Sequence, residues 1–329
     1  MNHLIFSGYV LICIFQTVFS FSEGCESSIT YFSKNEIPFD FNSIRNLVVF
    51  GDSLSSVDTN INDMTYTGKN HSLGDNWAIL LSQKNNITLW NFAFSGAVID
   101  NYIIPRKDYK ISYLVQNQYF IDRMSKGKEY ENKWNSIDTL FIYWFGTNDI
   151  TYIDREKYKN LLNETYNIIV DSLFNTLDGT YGIGGRNFMF FNELPLDRFP
   201  NENLYNKNVI KENVEVFNER INEKAAKFSQ RYDDVNVFVY NVNEELNYII
   251  QNYKNLEFKY NNLTLVENED EDHHVDHYIW VDDLHLSKKV HKVIADDIHK
   301  LLIINEASSL FVNMVLILIN SIIIISILL

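Results

Sequence analysis

Cysteine is nearly absent. Cys13 and Cys25 are the only two in 329 residues. Cys13 falls in a stretch read below as an export signal, which leaves Cys25 alone, excludes an internal disulfide and requires a core that holds without staples. Proline is scarce too: four in the whole chain leave few linker-like stretches, and no internal repeat is visible. Basic residues are outnumbered, 28 Lys and Arg against 43 Asp and Glu, for a net charge of -15. A surface that acidic repels phosphate backbones and anionic membrane faces, so nucleic acid is not an expected partner.

What is present suits one large globular domain or a domain and a half: 46% of residues are hydrophobic and 22% charged. The ends stand apart. Leu4 to Phe19 is apolar and is followed by small residues at Ser20 and Ser22, so 1–22 reads as a signal peptide, although no Lys or Arg precedes the run. An N-terminal anchor or a buried strand is the alternative. Residues 23–45 form a lead-in and 46–304 the main domain. Leu310 to Leu329 carries no charge and is long enough to cross a bilayer, so 305–329 reads as a membrane anchor or a lipid-anchor signal. Asn-x-Ser/Thr sequons at Asn70, Asn86, Asn163 and Asn262 suit a secretory route to the cell surface or exterior.

Between the ends, short β-branched and aromatic runs alternate with segments of helical period. Leu47–Phe50, Ile87–Phe92, Thr139–Phe145, Asn187–Phe191 and Val235–Tyr240 are predicted strands. Helices are predicted at about 75–84, 115–125, 156–177 and 206–231, with another from near Leu286. Strands apolar throughout and separated by helices indicate α/β: a three-layer α/β/α sandwich on a five-stranded parallel sheet. Residues 267–277, "ENEDEDHHVDH", break the rhythm. Histidine and carboxylate suit several divalent ions, but the spacing fits no ligand pattern, and a solvated loop is the better reading.

In an open parallel sheet, ligands bind beyond the carboxyl ends of the strands, where strand order reverses. The first three strands end in Gly51-Asp52-Ser53-Leu54, Phe94-Ser95-Gly96-Ala97 and Gly146-Thr147-Asn148-Asp149. Acyl transfer needs a hydroxyl nucleophile and donors aimed at a developing oxyanion. Ser53 offers the hydroxyl. The N–H groups of Ser53 and Gly96 and the amide of Asn148 offer the oxyanion donors. "WVDDLHLS" supplies the base, His285, with Asp282 three residues before it to fix its tautomer and Asp283 as the rival carboxylate. The other histidines lie on the last helix, in the acidic loop, or, for His71, in a polar linker. Each motif alone has an ordinary structural reading as a turn or a helix cap. Together, in this order and at matching strand ends, they are not an ordinary accident.

These residues resemble the GDSL or SGNH hydrolase superfamily, whose Ser, Gly, Asn and His match Ser53, Gly96, Asn148 and His285, with Asp282 completing a D-x-x-H element. More narrowly, "NLVVFGDSLSS", "NFAFSGAVID", "LFIYWFGTNDI", "RNFMFFNELPLDRFP" and "WVDDLHLSKKVHKVIADDI" are similar to fungal acetylesterases of carbohydrate esterase family sixteen. The resemblance covers about 46–304. It implies a flavodoxin-like sheet, no metal or cofactor, and removal of acetyl groups from xylan-derived or other plant-wall oligosaccharides. Two departures stand out. Relatives often carry Gly-Gly where this chain has Ser95-Gly96, and cysteines where it has the acidic His-rich insert. Trp144 and Trp280 lie near the proposed site in sequence and are assigned to the core. Asn192 and Asp197-Arg198 border the cleft or form an ordinary loop pair.

The expectation is a serine esterase acting on short acyl esters through an acyl-enzyme. A lipase or lysophospholipase on the same scaffold is the first rival, and an inactive surface carbohydrate-binding module the second.

Overall fold

The computed structural model describes residues 17–19, 28–34, 39–201, 206–268 and 271–304. The main sheet has seven strands: β1 (Thr17–Phe19), β2 (Ile29–Ser33), β3 (Asn46–Gly51), β4 (Thr88–Asn91), β5 (Thr139–Trp144), β6 (Asn187–Phe191) and β7 (Asn236–Tyr240), in spatial order β1-β2-β7-β6-β5-β3-β4. The five strands from β3 to β7 are parallel, as the apolar runs predict. The chain departs from the prediction at one edge, where β2 runs antiparallel to β7 and β1 antiparallel to β2. β2 lies in the lead-in and buries only Ile29 and Phe32 of its five residues, so no unbroken apolar run announces it. The signal-peptide reading of 1–22 lies outside the described residues apart from the backbone of Thr17–Phe19. The anchor reading of 305–329 lies wholly outside them. No helix among the described residues is long and apolar enough to cross a membrane.

Helices α1 (Trp77–Lys84), α2 (Tyr113–Met124), α3 (Thr147–Tyr152), α4 (Leu162–Phe174), α5 (Leu177–Gly182), α6 (Lys207–Arg231), α7 (Val242–Gln251) and α8 (288–304) complete the fold. The three layers follow from the alternation of side chains along a strand. Tyr143 and Phe190 turn to one face and meet Tyr113 of α2 and Phe174 of α4. Their successors Trp144 and Phe191 turn to the other and meet Trp77 of α1. On that second face the Tyr240 hydroxyl donates to Asp297 of α8 at 2.9 Å. Trp144 and Trp280 are both buried, in accord with their assignment to the core.

The path of the chain decides where a ligand can sit. From β3 it crosses to β4 on one side and then to β5 on the other. Strand order therefore reverses at β3, and Ser53 comes two residues after that strand ends.

Candidate active site

Asp52 shapes the turn after β3. Its Oδ1 accepts from the N–H of Leu54 at 3.0 Å, and its carbonyl accepts from those of Ser55 and Ser56. None of these bonds uses the N–H of Ser53. At the second strand end, Gly96 has φ +74°, and a Cβ there would overlap the ring of Tyr109. At the third, Gly146 has φ +141° and would drive a Cβ into the Glu193 carboxyl. Gly146 leads directly into α3, which carries Asn148 and Asp149 on its first turn.

The strand ends are knitted together by buried carboxyls. Asn148 Nδ2 donates to Asp52 Oδ2 at 3.0 Å, joining the third turn to the first. The N–H of Ile99 donates to Asp149 Oδ1 at 3.0 Å, joining the second to the third. Thr147 Oγ1 donates to Glu193 Oε1 at 2.8 Å. Burial pushes Asp52 up to about 6, against the pull of the Leu54 N–H, the His285 charge and the Asn148 amide. Burial raises Asp149 to about 7, and it raises Glu193 well above the usual range with help from the Asp52 charge.

Asp282, His285 and Ser53 stand in line. His285 Nδ1 is 2.8 Å from both Asp282 oxygens, and His285 Nε2 is 2.9 Å from Ser53 Oγ. An ionised carboxylate only accepts, so the proton sits on Nδ1 and Nε2 is left to receive the serine hydroxyl. Burial works to raise Asp282, but the His285 ring and the N–H groups of Leu284 and His285 outweigh it and hold the carboxyl below its ordinary value. The rival, Asp283, is exposed.

Two neighbours were invisible in the sequence. The His71 ring stacks on that of His285, with centroids 4.1 Å apart and planes at 11°, and His71 Nε2 is 3.1 Å from Ser95 Oγ. Arg106 donates to Asn148 Oδ1 at 3.0 Å. Neither carries a local signal, because both reach the site from long loops. His71, Asp282 and His285 are the one group among the described residues close enough to share a metal ion. Imidazole lone pairs lie in the ring plane, and two nearly parallel stacked rings do not aim them at one point. The group is built as a stack and not as a chelate.

The acidic His-rich stretch is a tied loop where it is described. Asp272 takes the His277 ring at 2.7 Å and Lys259 Nζ at 2.9 Å, and these partners hold it far below the ordinary carboxylate value. Asn192 does not border the cleft: it is buried and pairs with Asn241 and the N–H of Asn243. Asp197 and Arg198 line a separate 170 Å³ depression with residues of α6 and α7.

The model of the GDSL-like lipase/acylhydrolase family matches residues 47–298. An acetylesterase of Thermothelomyces thermophilus is 28% identical over 210 residues, 59% of this chain and 68% of its own length. An acetylesterase of Hypocrea jecorina is 22% identical over 123 residues, 36% of this chain and 35% of its own. Among solved structures, an acetylxylan esterase from Geobacillus stearothermophilus aligns at TM-score 0.44 and 11% identity, covering 81% of this chain and 96% of its own.

Proposed function

The chain belongs to the GDSL-like lipase/acylhydrolase family and is a carboxylic ester hydrolase, and from that premise we propose that it removes acetyl groups from plant-wall carbohydrates such as xylo-oligosaccharides. The observation that carries the reading is the line of atoms from Asp282 through His285 to Ser53, with spacings of 2.8 and 2.9 Å. The two acetylesterase relatives support the acyl group. The hydrophobic stretches at both ends of the chain support work outside the cytosol, in the secretory pathway or at the cell surface.

As Ser53 Oγ adds to the ester carbonyl, its proton passes to His285 Nε2, and Asp282 steadies the imidazolium. The oxyanion is received by the N–H groups of Ser53 and Gly96 and by the Asn148 amide. One Asn148 hydrogen already points to Asp52, and an amide nitrogen has a second to give. When the tetrahedral adduct collapses, His285 hands its proton to the departing sugar oxygen and the acetyl group stays on Ser53. Water then follows the same path: His285 removes its proton, Oγ takes that proton back as the second adduct collapses, and acetic acid leaves and ionises to acetate in solvent.

The test is Ser53→Ala in the full chain, assayed on acetylated xylo-oligosaccharides and on 4-nitrophenyl esters of rising chain length, with a phospholipid beside them. Hydrolysis of acetyl esters should be abolished while the fold is kept. Full activity in the variant would overturn the mechanism, and a strong preference for long chains or phospholipid would overturn the acetyl assignment.

A further inference from the structure

The loop that carries His71 is built to hold it still. Asn70 Nδ2 donates to the carbonyls of Gly68 and Gly74 at 2.9 and 2.8 Å. Its Oδ1 accepts from the N–H and the hydroxyl of Ser72 at 2.8 and 2.6 Å. Two donors and two acceptor positions are all that an asparagine amide has, and every one is used inside the turn. The turn is then fastened beside the catalytic segment, where the N–H of Lys288 donates to the Ser72 carbonyl at 2.9 Å. His71 is thereby presented to two partners at once. It packs flat on the base, and it meets the hydroxyl of Ser95, which precedes the oxyanion glycine and is one of the positions where the chain departs from the pattern it resembles.

We propose that His71 is a positioning residue for His285: its ring covers one face of the catalytic imidazole and keeps it in the plane that meets both Asp282 and Ser53, with Ser95 locking His71 in turn. The inference rests on the esterase reading above and deepens it. A covered imidazole has fewer orientations to lose, and reacting groups held in register are worth more than groups that must find it. The cover also suits the charge that appears during reaction. Burial and the neighbouring His285 hold His71 below its ordinary value, with Lys69 adding to the effect and Asp282 opposing it. A neutral ring face attracts the imidazolium that forms beneath it, where a charged one would repel it.

The test uses the full-length protein and its His71→Ala, His71→Phe, Ser95→Gly and Ser53→Ala variants. Two readouts are taken: kcat and KM on 4-nitrophenyl acetate, and the low-field proton signal of the Nδ1–H that His285 shares with Asp282. In His71→Ala, kcat should fall about tenfold with KM within about twofold, and the signal should broaden. His71→Phe keeps a flat face and should stay within about threefold of the parent, with Ser95→Gly between the two. Unchanged kcat and an unchanged signal in His71→Ala would overturn the inference, as would a loss in His71→Phe as deep as in His71→Ala. If His71→Ala does not fold, Ser95→Gly decides, since it removes only the hydroxymethyl group of an exposed residue. Parent activity that survives Ser53→Ala would sink the esterase reading instead, and the proton signal would still judge His71.

Discussion

Asn148 does two things with one amide, and its neighbours decide which end does which. Arg106 donates to Oδ1, and Nδ2 gives one hydrogen to Asp52, so the flip of the amide is fixed and the second hydrogen stays free for the oxyanion. Arg106 is itself clamped, its guanidinium 3.6 Å above the Tyr152 ring and 4.7 Å from that of Tyr109. Asn148→Ala should lower kcat by about 10²–10³, the usual cost of one oxyanion donor. Arg106→Ala should cost about tenfold in the parent and nothing further once Asn148 is already Ala, because its effect passes through that side chain. Steady-state kinetics on the parent, the two single variants and the double variant measure this. Additive losses would mean that Arg106 acts elsewhere. Asn148 could be found from its own block, since Gly-Thr-Asn-Asp follows a strand. Arg106 could not: it lies 42 positions away, and only the folded loop brings it near.

At the level of elements, β3 ends where it does because α2 caps it from the side. Gln116 is fully buried; the N–H of Gly51 donates to its Oε1 at 3.1 Å, and its Nε2 donates to the Gly51 carbonyl at 2.8 Å. One side chain thus stands in for a strand partner at the last residue before the nucleophile's turn. Gln116→Leu keeps the volume, takes away the partner of the Gly51 N–H, and leaves the Gly51 carbonyl with only the N–H of Phe94 at 3.1 Å. It should cost about 1–3 kcal/mol, read as the loss of unfolding free energy in urea. A loss below about 0.5 kcal/mol would show that the pairing does not hold the turn. The five parallel strands and most long helices were legible because their signal is local. Asn187–Phe191 and Lys207–Arg231, for example, are read almost to the residue from apolar runs and helical period. α7, β2 and the short parallel pair Tyr260–Thr264 with Tyr278–Trp280 were not. α7 follows β7 after a single residue, Asn241, whose side chain caps it, with no Gly or Pro between to mark the break. In the short pair, the first strand exposes Asn262 and Leu263 and so lacks a buried run.

For the molecule as a whole, the buried acids set the pH dependence of stability. Asp149 near 7 and Glu193 well above the carboxylate range keep their protons in the folded chain at a pH where the unfolded chain has released them. Stability is therefore lost as pH rises through those values, and it should increase as pH falls from 8 to 6.5. Below that, His291 opposes the trend: burial lowers it to about 3, so the unfolded chain takes up a proton that the folded chain refuses. Denaturant unfolding should show stability rising as pH falls from 8 to 6.5 and rising less steeply below that, and Glu193→Gln should flatten the rise on the alkaline side. A slope unchanged in that variant would mean that Glu193 is ionised in the fold. The distance along the chain between Ser53 and His285, 232 positions, has a consequence of another kind. Neither half of the polypeptide holds both ends of the proton's path, so cutting the chain anywhere between them yields two pieces that are each inert. Turnover then becomes an all-or-none gauge of assembly: it can return only when the pieces find each other and rebuild the sheet that spans them.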